Sequence, residues 1–362
     1  MAAGRATKIL LALLALTLGS CTVGRFAWYN FSNITDYKIF PARPMAAAAK
    51  PFTFHPAPVR ARVGNARRHV IDSVARNSHT VALLIIRNDS LLYENYFHGY
   101  DQQSIIASFS MAKSFTSALV GAALADGFIK SIDEPITNYL TELKAKPGFD
   151  AITIKHLLQM TSGIRGSESY YNPLGQAAKI YYGRTLRNYV QRLRIDYPPG
   201  TRFAYRSINT QLLGMIVERA TGKTLTAYLD TRIWQHLGPE YDASWSIDKK
   251  KNGVEKAFCC INARARDFAK FGRLYLHEGN VNGQQLLPQA WIHASRTSAR
   301  EEGAVPYYKY QWWLTDKGYT ANGHLGQYVY VSRSKNLIMV RLGKKESKVS
   351  WPDFFDQLHD YL

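Results

Sequence analysis

The chain has 362 residues, enough for one large domain or two smaller ones, and its 46% hydrophobic and 20% charged residues are typical of a globular protein. Its formal net charge is +19, but the basic residues are spread along the chain and do not form a stripe with interleaved aromatic side chains. The sequence also has no zinc-finger spacing, RNA-binding signature or glycine-rich phosphate loop. The spread of basic residues therefore argues against a nucleic-acid partner, and the positive charge is better explained by solubility or by closeness to an anionic membrane surface.

The first 24 residues have the composition of an export segment. Arg5 and Lys8 precede an apolar run at residues 9–18, the order expected of a secretory signal. The run ends in Leu-Gly-Ser-Cys21, which resembles a bacterial lipobox and makes Cys21 the candidate lipidation site. The apolar stretch is short for a membrane-spanning helix, although residues 26–28 could extend it. A lipoprotein, an uncleaved anchor and a cleaved signal peptide remain open, and each predicts a protein of the bacterial cell envelope that faces the periplasm.

The next part of the chain is predicted to change from linker to folded structure. Residues 25–58 contain several prolines and an alanine run, which indicates an irregular linker leaving the membrane. Helical spacing of apolar and basic residues predicts a helix at about 59–75. Two β-rich runs, 81–86 and 91–97, flank the polar turn 87–90 and predict a hairpin.

The rest of the chain predicts a helical insertion between strands. Residues of about 130–240 are mostly helical in pattern, and a further helix is expected at 267–276. Strands are expected at 328–331 and 337–342, followed by a helix from Pro352. Strands at both ends with helices between them predict an α+β (mixed) fold for a domain of residues 59–362, with one sheet built from both ends.

The three cysteines predict neither a disulfide framework nor a zinc site. Cys259 and Cys260 are adjacent, and neighbouring cysteines rarely bridge because the geometry is strained. They are therefore expected to be small apolar packing residues. No Cys/His spacing suits zinc, and we expect no metal and no cofactor.

A serine stands three residues before a lysine in the segment 108–115, Ser-Phe-Ser-Met-Ala-Lys-Ser-Phe. Residues three apart share one helix face, so Ser110 Oγ and Lys113 Nζ can meet. A serine hydroxyl becomes a good nucleophile when a base takes its proton, and a lysine held neutral can be that base. The positive potential at a helix N-terminus favours the alkoxide and disfavours protonated lysine. The segment indicates a serine hydrolase, and the alternative is a buried helix with an N-cap serine.

Two other Ser-x-x-Lys pairs occur in the chain and have a different context. Ser246 with Lys249 runs into a lysine-rich turn, and Ser332 with Lys335 lies at a predicted hairpin tip. Only Ser110 opens a long helix of small and apolar residues, which is predicted to end near residue 127.

Two later segments carry further candidate chemistry. The Pro-Pro-Gly-Thr turn at 198–201 can present Tyr205 rigidly, and a tyrosine beside a lysine could protonate a leaving group. His324 lies in a glycine-rich stretch that allows another backbone or a substrate to come close. The N–H of Gln327, beside that of Ser110, is a candidate oxyanion donor. The alternatives are a tyrosine packed on the following helix and a surface histidine in a turn.

In this order the motifs resemble those of the serine β-lactamase and penicillin-binding-protein-like superfamily, and most closely those of class C-like esterases and 6-aminohexanoate-dimer (nylon oligomer) hydrolases. The matching segments are Ser110-Met-Ala-Lys113 for Ser-x-x-Lys, Tyr205-Arg-Ser207 for Tyr-x-Asn/Ser and His324-Leu-Gly326 for Lys/His-x-Gly. The resemblance covers roughly residues 80–342. It implies an antiparallel sheet flanked by helices, with an all-helical subdomain at about 130–240 over the active-site cleft.

The resemblance also implies a role for each residue. Ser110 would attack a carbonyl to form an acyl-enzyme, Lys113 would be the base, and Tyr205 would carry the proton to the leaving group and then activate water. His324 would line the opposite strand, and the N–H groups of Ser110 and Gln327 would form the oxyanion hole. The candidates for substrate contact are Ser207, Asn262, Gly326, Tyr170 and Tyr171, the two tyrosines as an aromatic lid.

Two positions depart from the family pattern. Penicillin-recognising members usually carry lysine where His324 stands, and members of the Tyr-x-Asn type carry asparagine where Ser207 stands. Both changes favour an exported esterase or amidase for small esters or linear amides. The competing hypotheses are a β-lactamase or D-Ala-D-Ala carboxypeptidase, and a catalytically silent envelope binding module. The native substrate and the oligomeric state stay open.

Overall fold

The computed structural model describes residues 24–25, 29, 31–172 and 174–362. The predictions for Arg5, Lys8, the apolar run and lipidation at Cys21 therefore lie outside the described residues. Within the described part of the chain, no helix is both long enough and apolar enough to cross a membrane.

The fold combines fourteen strands and ten α-helices in the described residues. The strands are β1 Ala42–Met45, β2 His55–Pro56, β3 Thr80–Arg87, β4 Ser90–Tyr96, β5 Ile106–Ala107, β6 Ala243–Ser246, β7 Ile261–Ala263, β8 Asn280–Val281, β9 Gln284–Gln285, β10 Tyr308–Lys309, β11 Trp312–Leu314, β12 Tyr319–Gly323, β13 Gln327–Ser332 and β14 Leu337–Gly343. The helices are α1 Asn65–Asn77, α2 Ala112–Ala125, α3 Ile154–Leu158, α4 Gln176–Tyr182, α5 Leu186–Val190, α6 Ser207–Thr221, α7 Leu225–Leu229, α8 Ala265–Leu276, α9 Gln289–Ser295 and α10 Trp351–Tyr361.

One eight-stranded sheet joins the two ends of the chain, as predicted. Its order is β10-β11-β12-β13-β14-β3-β4-β2, and β14 from the C-terminal part pairs antiparallel with β3 from the N-terminal part. The predicted hairpin is confirmed as β3 and β4, which pair antiparallel around a two-residue turn. The sheet therefore closes the fold by a contact between segments more than 240 residues apart.

Helices cover both faces of this sheet. Alternate residues of β3 point to opposite faces, so Leu84 joins the core beneath α8 whereas Leu83 packs with α1 and α10. Because both faces are buried, β3 is a continuous apolar run and not an alternating one. The helices predicted at 267–276 and from Pro352 are confirmed as α8 and α10.

Residues 31–58 are more ordered than the linker predicted for this part of the chain. β1 pairs with β6 in a second, four-stranded sheet of order β1-β6-β7-β5, and β2 pairs in parallel with β4 at the edge of the large sheet. Pro44 lies in β1 and Pro56 in β2, each of which is the edge strand of its sheet, where a missing N–H need not cost a ladder hydrogen bond. This segment therefore belongs to the folded body.

The region between residues 130 and 240 is helical, as the pattern predicts. It contains α3 to α7 and several 3-10 turns, with no strand among its described residues. Helix α6 packs against α2, the helix that follows Ser110. The helical region and the large sheet thus meet beside α2, and this junction carries the predicted motifs.

Candidate active site

The nucleophile candidate lies where a short strand turns into a helix. Ser110 is the middle residue of a 3-10 turn, Phe109–Met111, which runs directly into α2. Phe109 has a left-handed backbone with φ of 44°, an unusual conformation for a residue with a side chain. Such strain is often found where a fold presents a functional group, and here it immediately precedes the serine.

Lys113 follows one turn later and reaches back to Ser110, as the spacing predicts. Its Nζ donates to Ser110 Oγ at 2.8 Å, to Ser207 Oγ at 2.9 Å and to the Phe258 carbonyl at 3.1 Å. The side chain is almost completely buried. Burial lowers the pKa of Lys113 to about 8, while the nearby Glu168 carboxylate acts in the opposite direction. A useful fraction of neutral amine is therefore present near neutral pH.

Tyr205 completes the polar centre. It precedes α6, and Lys113 Nζ lies 5.0 Å above the centre of its ring. Burial raises the pKa of the Tyr205 phenol, and Glu168 raises it further, while a hydrogen bond with Ser110 partly offsets the rise. The phenol is consequently protonated at neutral pH and can act as a proton donor.

Glu168 is a member of the site that the sequence reasoning missed. Its Oε2 accepts the Ser207 backbone N–H at 2.8 Å, and its Oε1 accepts the hydroxyls of Ser207 and, at 3.1 Å, of Tyr170. One signal was available, since Glu168 is the only acidic residue between Asp150 and Asp196. The direct partners of this carboxylate are Ser207 and Tyr170, and its charge also acts through space on Lys113.

His324 approaches the nucleophile through a glycine contact. A Cβ on Gly323 would lie 2.3 Å from the Ser108 carbonyl oxygen, so only glycine lets β12 come this close to the Ser110 turn. His324 Nδ1 pairs with Glu346 Oε1 at 2.8 Å, and this hydrogen bond lowers the pKa of the Glu346 carboxyl. The His324 ring therefore has a fixed orientation beside Ser110.

Aromatic rings enclose the space next to Ser110. The rings of His324 and Tyr170 are 4.7 Å apart, and those of His324 and Phe109 are 5.5 Å apart. Burial raises the pKa of the Tyr170 phenol well above its ordinary value, and the Glu168 charge raises it further. A small cavity that is partly open to solvent lies among these rings. The residues that line it are Ser32, Phe109, Ser110, Tyr170, Ala177, Ala178, Ile180, Tyr181, Tyr182, Ser207, Phe258, Cys259 and His324.

Besides Lys113 and Tyr205, which belong to the polar centre, four of the predicted site residues do not line this cavity. Asn262 lies in β7, where its Nδ2 donates to Ser244 Oγ and Ser246 Oγ at 3.1 Å each. Tyr171 is exposed and packs edge-on against Phe31.

The other two lie at the turn between β12 and β13. A Cβ on Gly326 would collide with Arg341, so this glycine makes room for a buried guanidinium. The Gln327 side chain is buried and bonds to the carbonyls of His324 and Gly343. The oxyanion role of its N–H stays a prediction.

Cys259 and Cys260 correct the sequence-based expectation that they do not bridge. The structure joins them in a disulfide, with Cα atoms 3.7 Å apart and a φ of 72° at Cys260. The turned backbone at Cys260 brings the two side chains to one side, which an extended chain would not do. Both residues are buried, and Cys259 lines the cavity one residue after the carbonyl that binds Lys113. The described residues contain no cluster of His, Cys, Asp or Glu that could hold a metal ion.

The comparison with known families agrees with this geometry. The family model described as Beta-lactamase matches residues 66–352. The chain belongs to the beta-lactamase family. The match includes Ser110, Lys113, Tyr205 and His324, and it leaves out the segment that contains β1 and β2.

Named relatives include hydrolases of several kinds. The chain is 30% identical over 298 residues to the 6-aminohexanoate-dimer hydrolase of Paenarthrobacter ureafaciens, an alignment that covers 76% of this chain and 73% of the relative. It is 33% identical over 145 residues to Esterase EstB of Burkholderia gladioli, covering 36% of each chain.

Solved structures share the fold. The structure named "Putative 6-aminohexanoate-dimer hydrolase from Bacillus anthracis" superimposes with a TM-score of 0.79 at 24% identity, covering 91% of this chain and 92% of that chain. A penicillin-binding protein from Bacillus halodurans superimposes with a TM-score of 0.64 at 17% identity, covering 81% and 100%. The chain is thus a serine hydrolase of the β-lactamase and penicillin-binding-protein class, related to esterases and amidases.

Proposed function

We propose that this protein is an exported hydrolase that cleaves a small carboxylic ester or a linear amide through an acyl-enzyme on Ser110. The observation that carries the proposal is the 2.8 Å contact between Lys113 Nζ and Ser110 Oγ. Burial lowers the pKa of this lysine to about 8, so part of it is neutral near pH 7. A serine and a base at hydrogen-bond distance, with the base itself held by other groups, form the arrangement that nucleophilic catalysis requires.

The first half of the reaction transfers the acyl group to the enzyme. Neutral Lys113 takes the proton of Ser110 Oγ as that oxygen attacks the substrate carbonyl carbon. When the tetrahedral intermediate collapses, the bond to the leaving group breaks. The Tyr205 phenol, which is protonated at neutral pH, donates a proton to the leaving oxygen or nitrogen and is reprotonated from Lys113. The second half repeats these transfers in reverse with water as the nucleophile.

The two positions that depart from the family pattern, His324 and Ser207, support an ester or amide substrate. At the third motif, His324 pairs with Glu346 and packs at a tilt against the Tyr170 ring, so it does not offer the free lysine ammonium that the resemblance associates with a substrate carboxylate. At the second motif, the Ser207 hydroxyl is already bonded to Lys113 and Glu168. Neither position carries the residue type that the resemblance associates with binding of a β-lactam or a D-Ala-D-Ala peptide.

The location outside the cytoplasm is part of the same proposal. The export-like first 24 residues and the oxidised pair of Cys259 and Cys260 are both features expected of a protein in an oxidising compartment. Whether the segment is lipidated at Cys21, retained as an anchor or cleaved can be read from the mass of the mature protein isolated from membranes.

The test is intact-mass analysis after exposure of the protein to a fluorophosphonate, which traps activated serines. We expect one adduct on the parent, none on Ser110→Ala, and a weak or absent adduct on Lys113→Ala. Ser332→Ala is the matched control, because Ser332 and Lys335 form a second Ser-x-x-Lys pair at the far end of β13. This variant should be labelled like the parent.

A panel of esters, amides and β-lactams then separates the candidate functions. Turnover of p-nitrophenyl esters or small anilides, lost in Ser110→Ala, supports the proposal. No adduct on a folded parent would contradict it and favour a silent binding module. A penicillin adduct that forms and turns over, with no ester or amide cleavage, would favour a β-lactamase or carboxypeptidase instead.

A further inference from the structure

The segment 31–40 contacts the cavity from outside the region that matches the family. That region begins at residue 66, whereas Ser32 lines the cavity. The segment is tied to the strand that leads to the nucleophile, because the Ala107 N–H donates to the Ile34 carbonyl at 3.1 Å. Its position relative to Ser110 is therefore fixed by the backbone.

A side-chain contact joins the same segment to the cavity wall. The Tyr181 hydroxyl donates to Asp36 Oδ2 at 2.7 Å, and both side chains are buried. The Tyr181 ring stacks on Phe109, the neighbour of the nucleophile, with centroids 6.3 Å apart. Asp36 thus sets the position of a ring that forms the wall beside Ser110.

Phe40 and Lys256 pack against Tyr181 and restrain it further. The Phe40 ring packs edge-on against Tyr181 at 5.2 Å and lies 4.4 Å from Lys256 Nζ. Lys256 is buried, and its Nζ donates to the Tyr181 carbonyl. The Tyr181 main chain and hydroxyl are both restrained, so the ring has little freedom to move away and enlarge the cavity.

The chemistry of the lining indicates the class of group that fits. Apart from His324, which is paired with Glu346, the lining contains aromatic, aliphatic, sulfur and hydroxyl side chains and no Asp, Glu, Lys or Arg. A charged group that entered would lose its hydration without gaining an ion pair. An apolar group would gain burial against Ile180, Ala178 and the rings.

We propose that the cavity beside Ser110 binds a compact, uncharged, apolar acyl group, and that the segment 31–40, through Ser32 and the Asp36–Tyr181 hydrogen bond, sets the length of acyl chain that it accepts. The inference rests on the proposed function, because it describes the acyl side of the same reaction. It assigns a specificity role to residues that precede the family-matching region.

The experiment measures kcat/KM for p-nitrophenyl esters from acetate to octanoate, and for the ester of 6-aminohexanoate, which has the same leaving group and a charged acyl end. The variants are Ser32→Phe, which fills the cavity from the segment, and Asp36→Ala, which releases Tyr181. Lys38→Phe is the matched control, since Lys38 is an exposed residue of the same segment that does not line the cavity. Asp36→Asn is the conservative rescue, because an amide oxygen can still accept from Tyr181.

The parent should favour the hexanoate ester over the 6-aminohexanoate ester by about tenfold or more. Ser32→Phe should shift preference toward acetate, and Asp36→Ala toward octanoate, each changing the acetate-to-octanoate ratio of kcat/KM by about tenfold, which corresponds to about 1.4 kcal/mol. Lys38→Phe and Asp36→Asn should keep the parent ratio.

The two proposals fail in different ways. A parent that is neither labelled at Ser110 nor active on any ester overturns the proposed function and this inference with it. An active parent whose chain-length profile is the same in Ser32→Phe and Asp36→Ala overturns the role of the segment alone. Equal rates for the charged and uncharged hexanoate esters overturn the assignment of an apolar acyl group.

Discussion

Replacing Glu168 by glutamine should move the pH dependence of acylation to lower pH. Glu168 lies beside Ser207, which bridges it to Lys113, and its negative charge raises the pKa of that lysine. Glutamine keeps the shape and an acceptor oxygen but removes the charge. The protonated form of Lys113 then loses its stabilising partner, so neutral base forms at a lower pH.

The size of the shift follows from the hydrogen bonds. Lys113 Nζ lies 2.9 Å from Ser207 Oγ, and the same Ser207 hydroxyl donates to Glu168 Oε1. Two hydrogen bonds in series place the charges about 5 Å apart, which corresponds to ~0.8 kcal/mol in water and ~3 kcal/mol at an effective dielectric constant of about 20. Because 1.36 kcal/mol equals one pH unit, the midpoint should fall by roughly one to two units from the value of about 8 for Lys113.

The assay is the second-order rate of Ser110 labelling by a fluorophosphonate, or kcat/KM for p-nitrophenyl acetate, between pH 5.5 and pH 9.5. In the free enzyme this profile reports the titration of the base. Glu346→Gln is the matched control, because it removes a carboxylate from the opposite side of the site, next to His324. An acidic limb in Glu168→Gln that stays in place, or moves to higher pH, would refute the pairing of Glu168 with Lys113.

Three further predictions follow from the packing. Gly323→Ala should destabilise the fold by about 1–3 kcal/mol and reduce activity, because its Cβ would lie 2.3 Å from the Ser108 carbonyl oxygen. Gly64→Ala is the control, because Gly64 has open space around it, and it should change neither the stability in chemical denaturation nor the rate of ester cleavage. Burial lowers the pKa of Lys256 to about 7, so between pH 7 and pH 9.5 the unfolded state binds a proton that the folded state has lost. The free energy of unfolding of the parent should therefore rise by on the order of 3 kcal/mol over this range relative to that of Lys256→Met. Parallel plots of unfolding free energy against pH for the two proteins would contradict this. Alkylation of the denatured protein should modify Cys259 and Cys260 only after reduction. Alkylation of both thiols without reductant would contradict the disulfide.

The sequence predicts the parts of the site that depend on local geometry. The three-residue spacing of Ser110 and Lys113 places both on one helix face, and the structure realises this contact. The glycine before His324 predicts a close backbone approach, which Gly323 makes with Ser108. The sheet was predictable for a similar reason, since β3, β4, β13 and β14 are continuous or alternating apolar runs bounded by turns.

The parts that the sequence did not reveal depend on contacts between distant segments. Glu168 acts through Ser207, and the position of either residue relative to Lys113 is fixed only when α6 packs on α2. Asp36 was assigned to a linker because prolines mark irregular chain, yet its partner Tyr181 is 145 residues away. The disulfide required the turned backbone at Cys260, which no local motif indicates.

Two separate structural elements therefore control different properties of the site. The loop that carries Glu168 and Tyr170 affects both the protonation of Lys113, through the Glu168 charge, and the aromatic enclosure, because Tyr170 bonds to Glu168 and packs against His324. The segment 31–40 contacts the cavity wall through Ser32 and Tyr181 and has no bond to Lys113 among the contacts of the described residues. Substitutions in the loop should thus change the pH profile and the acyl preference together. Substitutions in the segment should change the acyl preference and leave the acidic limb in place, because the charges around Lys113 are unaltered.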